Sequence, residues 1–173
     1  MATALPADRV RGSALATSSG VGRANASAPA DRSRERPVLL ATLDVAFDEE
    51  AVAFALDSAV ETGRPLLVVN AAEVLLTPAT LVGYGYVEKE HLQAELGRPA
   101  ELARDLAVRV ERLRVCSPHP LDALLQVVAD RRPAVLVFGP DRTRLSARRY
   151  RRAARAVAER ADCLVWLAPA ERL

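Results

Sequence analysis

The chain has 173 residues, which is the size of one ordinary domain. Half of the residues are hydrophobic and 27% are charged, so there is enough apolar material for a packed core. The 24 basic and 22 acidic residues leave a net charge of +2, which argues against a strongly basic nucleic-acid-binding protein. No apolar run approaches the roughly 18 residues of a membrane-spanning helix, so we expect no membrane partner.

The first 36 residues differ in composition from the rest of the chain. They are rich in Ala, Ser, Gly, Pro and Arg, they contain no aromatic residue, and their few apolar residues follow no sustained period. Such a segment cannot bury enough surface to offset its chain entropy. The sequence therefore predicts a disordered tail over residues 1–36, followed by one domain over residues 37–173.

The domain begins with a strand–helix–strand pattern. Residues 38–44 form a short apolar run that ends in Asp44. Asp48 is a suitable cap for a helix that Gly63 closes, and residues 65–71 form a second apolar strand.

The pattern repeats less clearly over the next fifty residues. A loop is expected around residues 77–86, and Pro99 is expected to open a helix because proline is tolerated in the first turn. A short strand follows at residues 114–116. The predicted buried face of the helix consists of Leu102, Leu106, Val110 and Leu113.

Two further helix–strand units complete the chain. A helix around residues 121–128 precedes the clearest buried strand, at residues 134–139, and a helix over residues 146–161 precedes a last strand at residues 163–167. Five apolar strands that alternate with four helices predict an α/β domain, with an open, doubly wound, five-stranded parallel sheet and helices on both faces. In such sheets ligands bind at the carboxyl ends of the strands.

Two residues at predicted strand ends are candidates for ligand binding. Asp44 ends the first strand, where a carboxylate can meet a hydroxyl or amino group. Gly139 ends the fourth strand, before a loop and a helix where phosphate could meet backbone N–H groups. However, that loop has a single glycine and a proline, and the chain contains neither GxGxxG nor GxxxxGK[ST].

The region from Arg142 to Arg155 is a basic cluster that contains seven arginines and no acidic residue. An arginine stripe at the start of a helix can hold a phosphorylated ligand or an acidic partner, but a solvated helix face is the interpretation that we favour. The arginines on one predicted helix face are Arg148, Arg151, Arg152 and Arg155.

The sequence offers no catalytic set and no metal site. His91 and His119 are the only histidines, and neither forms a recognisable motif with a serine or with the cysteines, Cys116 and Cys163. Two cysteines also exclude a disulfide framework, so a reduced cytoplasmic compartment is expected. We therefore expect neither an enzyme nor a bound metal.

The last strand is a candidate dimer interface. It runs from Cys163 to Leu167 and includes the sole tryptophan, and so apolar an edge strand would aggregate if it stayed uncovered. Pairing with the same strand of a second copy would cover it, as would burial against the flanking helices.

The order of these elements resembles that of the universal stress protein family over residues 37–169. Residues 38–44 resemble the family's ILVAVD strand, and residues 68–71 its LLHV strand. Residues 134–139 with residues 162–167 are similar to its DLIVVG…CPVLVV ending. The resemblance implies a cytoplasmic α/β domain, usually dimeric through the last strand, which in one branch of the family binds ATP.

The resemblance also supplies candidate nucleotide-binding positions. Asp44 matches the acidic residue that faces the nucleotide, Ala71 matches the position whose backbone meets the adenine, and Gly139 matches the first glycine of G-x2-G-x9-G-[ST]. Arg142 stands in place of the second glycine, and Arg151 and Arg152 stand near the final Gly-Ser pair.

These departures lead to two hypotheses and a weaker third. The first is a non-catalytic stress-response module without the usual ATP mode and without a cofactor, acting as a homodimer or through a protein partner. The second is a member that holds ATP or another phosphorylated ligand through Asp44 and the arginine cluster. A phospho-receiver domain with Asp44 as the acceptor fits less well, because that fold places its acceptor on the third strand.

Overall fold

The computed structural model describes residues 36–74 and 90–168, and within these ranges five strands alternate with four helices. The strands are β1 (Val38–Thr42), β2 (Leu66–Glu73), β3 (Val110–Ser117), β4 (Val135–Phe138) and β5 (Leu164–Leu167). The helices are α1 (Glu49–Thr62), α2 (Glu90–Asp105), α3 (Pro120–Arg131) and α4 (Ala147–Arg160). Apart from Arg36, the predicted tail lies outside the described residues, as does the predicted loop at residues 77–86.

The strands form a single parallel sheet in the order β3-β2-β1-β4-β5. This confirms the predicted open, doubly wound sheet. The strand order reverses between β1 and β4, where Ala41 lies opposite Phe138. On the other side of β1, Thr42 lies opposite Asn70. The carboxyl ends of β1, β2 and β4 therefore meet at the point where such sheets form ligand sites.

Each face of the sheet is covered by two helices that bury small and aliphatic side chains. Alternate strand residues such as Leu40 and Val68 pack against α1 and α2, and their neighbours such as Leu39 and Val69 pack against α3 and α4. This alternation follows from the two-residue period of a strand. On α4 the residues that face the sheet are Tyr150, Ala153, Ala154 and Val157, as predicted.

The ends of α1 follow the sequence signals. The Asp48 carboxylate accepts hydrogen bonds from the backbone N–H groups of Glu50 and Ala51, at 3.0 and 3.1 Å. Gly63 adopts a left-handed conformation, with φ of 63°, and closes the helix. Because both signals are local side-chain or backbone preferences, the sequence was sufficient to place this helix.

The predicted start of α2 at Pro99 is wrong, because the helix begins at Glu90 and Pro99 lies inside it. Proline costs a helix about 3 kcal/mol through its missing N–H and a steric clash with the preceding turn. The helix continues because its buried residues form one stripe that runs past the proline. These residues are Leu92, Leu96, Ala100 and Ala103.

The predicted buried face at the end of this helix is also wrong. Leu106 is 52% exposed, and the chain leaves the helix at Ala107, which has a left-handed φ of 57° without being glycine. Val110 and Leu113 belong to β3, which is longer than the predicted strand at residues 114–116. Since β3 lies at the edge of the sheet, it carries charged residues, and these hid its strand period.

Candidate functional site

The loops that follow β1 and β4 are hydrogen-bonded to each other where the strand order reverses. The N–H of Gly139 donates to Ala41 O at 3.0 Å, and the carbonyl of Gly139 accepts from the N–H of Asp48 at 3.0 Å. One step further on, the N–H of Asp141 donates to Ala46 O at 2.8 Å. The backbone around Gly139 therefore bonds to its own chain on both sides.

Asp44 lies at this edge, two residues beyond the end of β1. Its backbone is left-handed, with φ of 55°, and its N–H donates to the side-chain oxygen of Asn70 at 2.9 Å. Asn70 is 7% exposed, so the bond to Asp44 gives a buried amide oxygen a partner. Thr42, fully buried, adds a second tether by donating from its hydroxyl to Val45 O at 2.9 Å. These side chains hold Asp44 in a left-handed conformation, which aspartate adopts more readily than most residues other than glycine.

Gly139 is required by packing. A Cβ at this position would lie 2.0 Å from the Cβ of Ala51, in the first turn of α1. Ordinary contacts between carbon atoms are about 3.5–4.0 Å. The absence of a side chain at Gly139 therefore lets α1 approach β4, whether or not a ligand binds at this edge.

Asp141 supplies an anion inside the loop that follows β4. One oxygen of its carboxylate accepts from the N–H of Thr143 at 2.8 Å and from the hydroxyl of Thr143 at 2.7 Å. The other lies 3.3 Å from Nε of Arg144. The N–H of Arg144 donates to Asp141 O at 3.2 Å. Pro140 has no N–H to offer.

Two arginines of the predicted cluster are paired with carboxylates across the sheet edge. Nη2 of Arg144 donates to Glu95 of α2 at 3.0 Å, and Nη2 of Arg149 donates to Glu73 of β2 at 3.0 Å. The Glu95 carboxylate raises the pKa of Arg144 through this hydrogen bond. Both arginines thus carry protein counterions.

Arg142 lies over an aromatic ring. Its guanidinium carbon is 5.0 Å from the ring centroid of Tyr150, within the range of a cation–π contact. Tyr150 is buried and donates from its hydroxyl to Ala168 O at 3.0 Å. Burial raises the pKa of the Tyr150 hydroxyl, which Arg142 partly opposes.

A further three arginines of α4 are directed to solvent. Arg148, Arg151 and Arg152 are exposed, on the side of the helix opposite to the buried Tyr150 and Ala153. Within residues 36–74 and 90–168, no hydrogen bond or ion pair joins them to another side chain. Arg155 of the same stripe is paired with Glu159 at 2.7 Å.

The fold brings together some of the predicted site residues. Asp44 and Gly139 follow neighbouring strands, and Ala71 lies next to Asn70 in β2, fully buried with its side chain in the core toward α3 and α4. Arg142 lies in the loop beyond Gly139. Arg151 and Arg152 lie on the solvent side of α4 and do not join this group.

Cys116 and His119 lie at the carboxyl end of β3, beyond β2 from the β1–β4 switch point. Cys116 is exposed near the end of edge strand β3, and His119 is exposed before α3, with its backbone N–H donating to Ser117 Oγ at 3.0 Å. In the part of the chain that the structure describes, no three His, Cys, Asp or Glu residues are grouped as metal ligands. The helices there are all too short or too polar to cross a membrane.

Sequence reasoning missed three residues that shape the site. The sequence placed Asn70 at a strand end but gave it no role. The pattern that could have indicated one is a polar residue directly after four buried aliphatic residues. Asp141 has a local signal, since an aspartate two residues before a threonine favours a closed Asx turn. Glu73 had none, because its partner Arg149 is 76 residues away.

The model of the universal stress protein family matches residues 35–169. No curated protein matches the sequence. A solved universal stress protein from Archaeoglobus fulgidus is similar, with 16% identity, a TM-score of 0.55, and 79% of this chain and 96% of that chain covered.

Two further similar structures contain nucleotides. One is the universal stress protein from Archaeoglobus fulgidus in complex with dAMP, with 16% identity, a TM-score of 0.54, and 78% of this chain and 98% of that chain covered. The other is a universal stress protein in complex with cAMP, with 20% identity, a TM-score of 0.56, and 79% and 98% covered. At these identities the likeness concerns the fold.

Proposed function

The chain belongs to the universal stress protein family, and from that premise we propose that it is a non-catalytic stress-response module that does not bind ATP in the family's usual way. The observation that carries this proposal is the loop after β4. In this loop the N–H groups of Gly139, Asp141, Thr143 and Arg144 donate to oxygens of the protein, and the carboxylate of Asp141 takes the place of an anion.

The electrostatics of this loop support the proposal. A nucleotide phosphate would have to displace the Asp141 carboxylate from Thr143, or lie beside a second negative charge. Arg144, which could attract phosphate, is already paired with Glu95 and Asp141. The Asp141 carboxylate and the pairing of Arg144 both weaken phosphate binding, compared with a glycine-rich loop whose backbone N–H groups have no protein acceptor.

The test is a calorimetric titration of the full-length protein with ATP and Mg²⁺. We expect no saturable heat in the micromolar range, and an absorbance spectrum of the purified protein without a nucleotide contribution at 260 nm. The matched variant is Asp141→Asn, which removes the negative charge that the loop places beside Thr143, and it should bind ATP more tightly than the natural chain. Micromolar ATP binding by the natural chain would contradict the proposal.

We propose further that the chain forms a homodimer through the strand from Cys163 to Leu167. Strand β5 lies at the edge of the sheet, and Leu164 is 71% exposed there. Replacing Leu164 by Lys should convert a dimer to a monomer in light scattering. Leu106→Lys is the control, because Leu106 is also exposed, at 52%, but lies at the end of α2. A monomeric natural chain, or equal effects of the two variants, would contradict the interface.

The alternative function is binding of ATP or another phosphorylated ligand through Asp44 and the arginine cluster. It is favoured by the similar structures that contain dAMP and cAMP, and by the exposed Arg148, Arg151 and Arg152. If the calorimetry detects nucleotide binding, two variants test the contributions of Asp44 and of the arginine cluster separately. These are Asp44→Ala and a double variant with Arg151 and Arg152 replaced by Ala. The alternative requires both to weaken binding.

A further inference from the structure

A cationic cleft lies between strands β2 and β3 and helix α2, one strand away from the β1–β4 switch point. Its volume is about 130 Å³. Its lining combines an apolar floor with two arginines and an amide. These residues are Phe47, Val68, Leu96, Leu113, Asn70, Arg112 and Arg114. We call it the arginine cleft.

The cleft arises from the alternation of residues along two paired strands. In the register of the sheet, Val68 lies opposite Arg112, and Asn70 lies opposite Arg114. Toward the amino ends of the same strands, Leu66 lies opposite Val110, and both pack beneath the helices. The face beneath α2 therefore changes from aliphatic to cationic along the strands, and the cleft opens where aliphatic packing stops.

Arg112 is exposed and gives the cleft a positive charge, with the carboxylate of Glu101 on the same side of Gly97 but outside ion-pair distance. Its Nη1 lies beside Gly97 of α2, 3.5 Å from the point where a Cβ would stand. Among the described residues, no carboxylate lies within ion-pair distance of this guanidinium. Arg114, two residues along the same strand face, is about 7 Å away and adds a like charge. None of the lining residues is acidic.

The volume limits what this charge can hold. A cavity of about 150 Å³ lined by aliphatic side chains holds one benzene molecule. The arginine cleft therefore accommodates a single ring or a short branched chain, and it is too small for a whole nucleotide. A planar guanidinium matches a carboxylate with two parallel hydrogen bonds.

We propose that the arginine cleft binds a compact organic carboxylate, with its apolar body against Val68 and Leu96 and its carboxylate on Arg112. Phe47, at one end of the cleft, pairs with Pro140 of the loop after β4, but the proposed contacts lie on Val68, Leu96 and Arg112. The proposal therefore does not depend on whether ATP binds at that loop. It assigns Arg112 a role beyond that of a charge that protects an edge strand from pairing.

The experiment is a nuclear magnetic resonance titration of the full-length protein at constant ionic strength. The probes are benzoate and, as its neutral counterpart, benzyl alcohol. We expect benzoate to shift the Arg112 Nε–H and Leu113 amide signals with saturation at millimolar concentration, and benzyl alcohol to bind about tenfold more weakly because it lacks the charge-assisted bonds.

Two variants decide the assignment. Arg112→Gln should weaken benzoate binding about tenfold, and Arg109→Gln, which removes an exposed arginine outside the cleft, should leave it unchanged. Linear shifts without saturation, equal binding of benzoate and benzyl alcohol, or equal affinity of the Arg112→Gln variant and the natural chain would each overturn the proposal. A separate titration with ATP tests the proposed function alone.

Discussion

Replacing Gly139 by alanine should destabilise the protein far more than a single methyl group suggests. The new Cβ would lie 2.0 Å from the Cβ of Ala51, so the two groups must separate by roughly 1.5–2 Å to reach ordinary contact. The strand cannot yield easily, because both the N–H and the carbonyl of Gly139 are hydrogen-bonded, to Ala41 and Asp48. Helix α1 must therefore move, together with its buried residues.

The expected cost of this displacement is about 3 kcal/mol in the free energy of unfolding, at the upper end of what overpacking of a core produces. Unfolding in urea, followed by fluorescence of the sole tryptophan, measures it. Trp166 is a suitable reporter because it stacks on Phe54 of α1, with ring centroids 4.8 Å apart. The signal from Trp166 in β5 thus reports on the packing of the helix that the substitution displaces.

A second substitution tests whether the contact with Ala51 is the cause. Ala51→Gly alone should cost about 1 kcal/mol through lower helix propensity. In the Gly139→Ala background it removes the clash, so the double variant should be about 2 kcal/mol more stable than Gly139→Ala. As a control, Gly97→Ala places a Cβ in ordinary contact at 3.5 Å and should stabilise α2. Additive effects of the two changes, or a Gly139→Ala variant as stable as the natural chain, would refute the packing argument.

Three further changes have predictable effects on stability. Tyr150→Phe removes the hydrogen bond to Ala168 O and should lower the free energy of unfolding by about 1 kcal/mol. Because burial raises the pKa of Tyr150, the natural chain should lose stability above about pH 10, where the tyrosine of the unfolded chain ionises. Urea unfolding at several pH values should show a smaller loss for the variant. Ala107→Gly should raise the unfolding midpoint by relieving a left-handed φ of 57°, a gain of about 1 kcal/mol, and an unchanged midpoint would contradict the strain. The hydrogen bond from Arg131 lowers the pKa of Glu111, so the pair stabilises the fold above about pH 4.5, and this contribution disappears as the pH falls. Since both side chains are half-exposed, Glu111→Gln should lower the free energy of unfolding by less than about 0.5 kcal/mol at neutral pH. An equal cost in 1 M salt would exclude an ion pair.

The positions of the site residues were only partly predictable. Gly139 directly follows β4, and Asp44 lies two residues beyond β1 instead of ending it, but both lie at the predicted edge because parallel strands bring their carboxyl ends together. The state of the loop between Gly139 and α4 was not predictable from residue types. It depends on which N–H groups find oxygens, such as Ala46 O for Asp141, and this requires two loops to meet.

The arginine cluster shows the same limit. The sequence established that arginines alternate with small residues around α4, and it separated the buried Tyr150 side from the exposed one. It could not tell that Arg149 meets Glu73 and that Arg144 meets Glu95, since these partners are 76 and 49 residues away. A charge pattern indicates a surface, and only the fold assigns counterions.

Local preferences in the sequence determined the elements, their order and the parallel sheet, because strand period, helix period and caps act over a few neighbouring residues. Tertiary structure decided that α2 continues through Pro99, that Ala107 is left-handed, and that Gly139 is needed against Ala51. In each case burial or contact between distant segments outweighs a local preference of one to a few kcal/mol. That balance is set only when the layers pack.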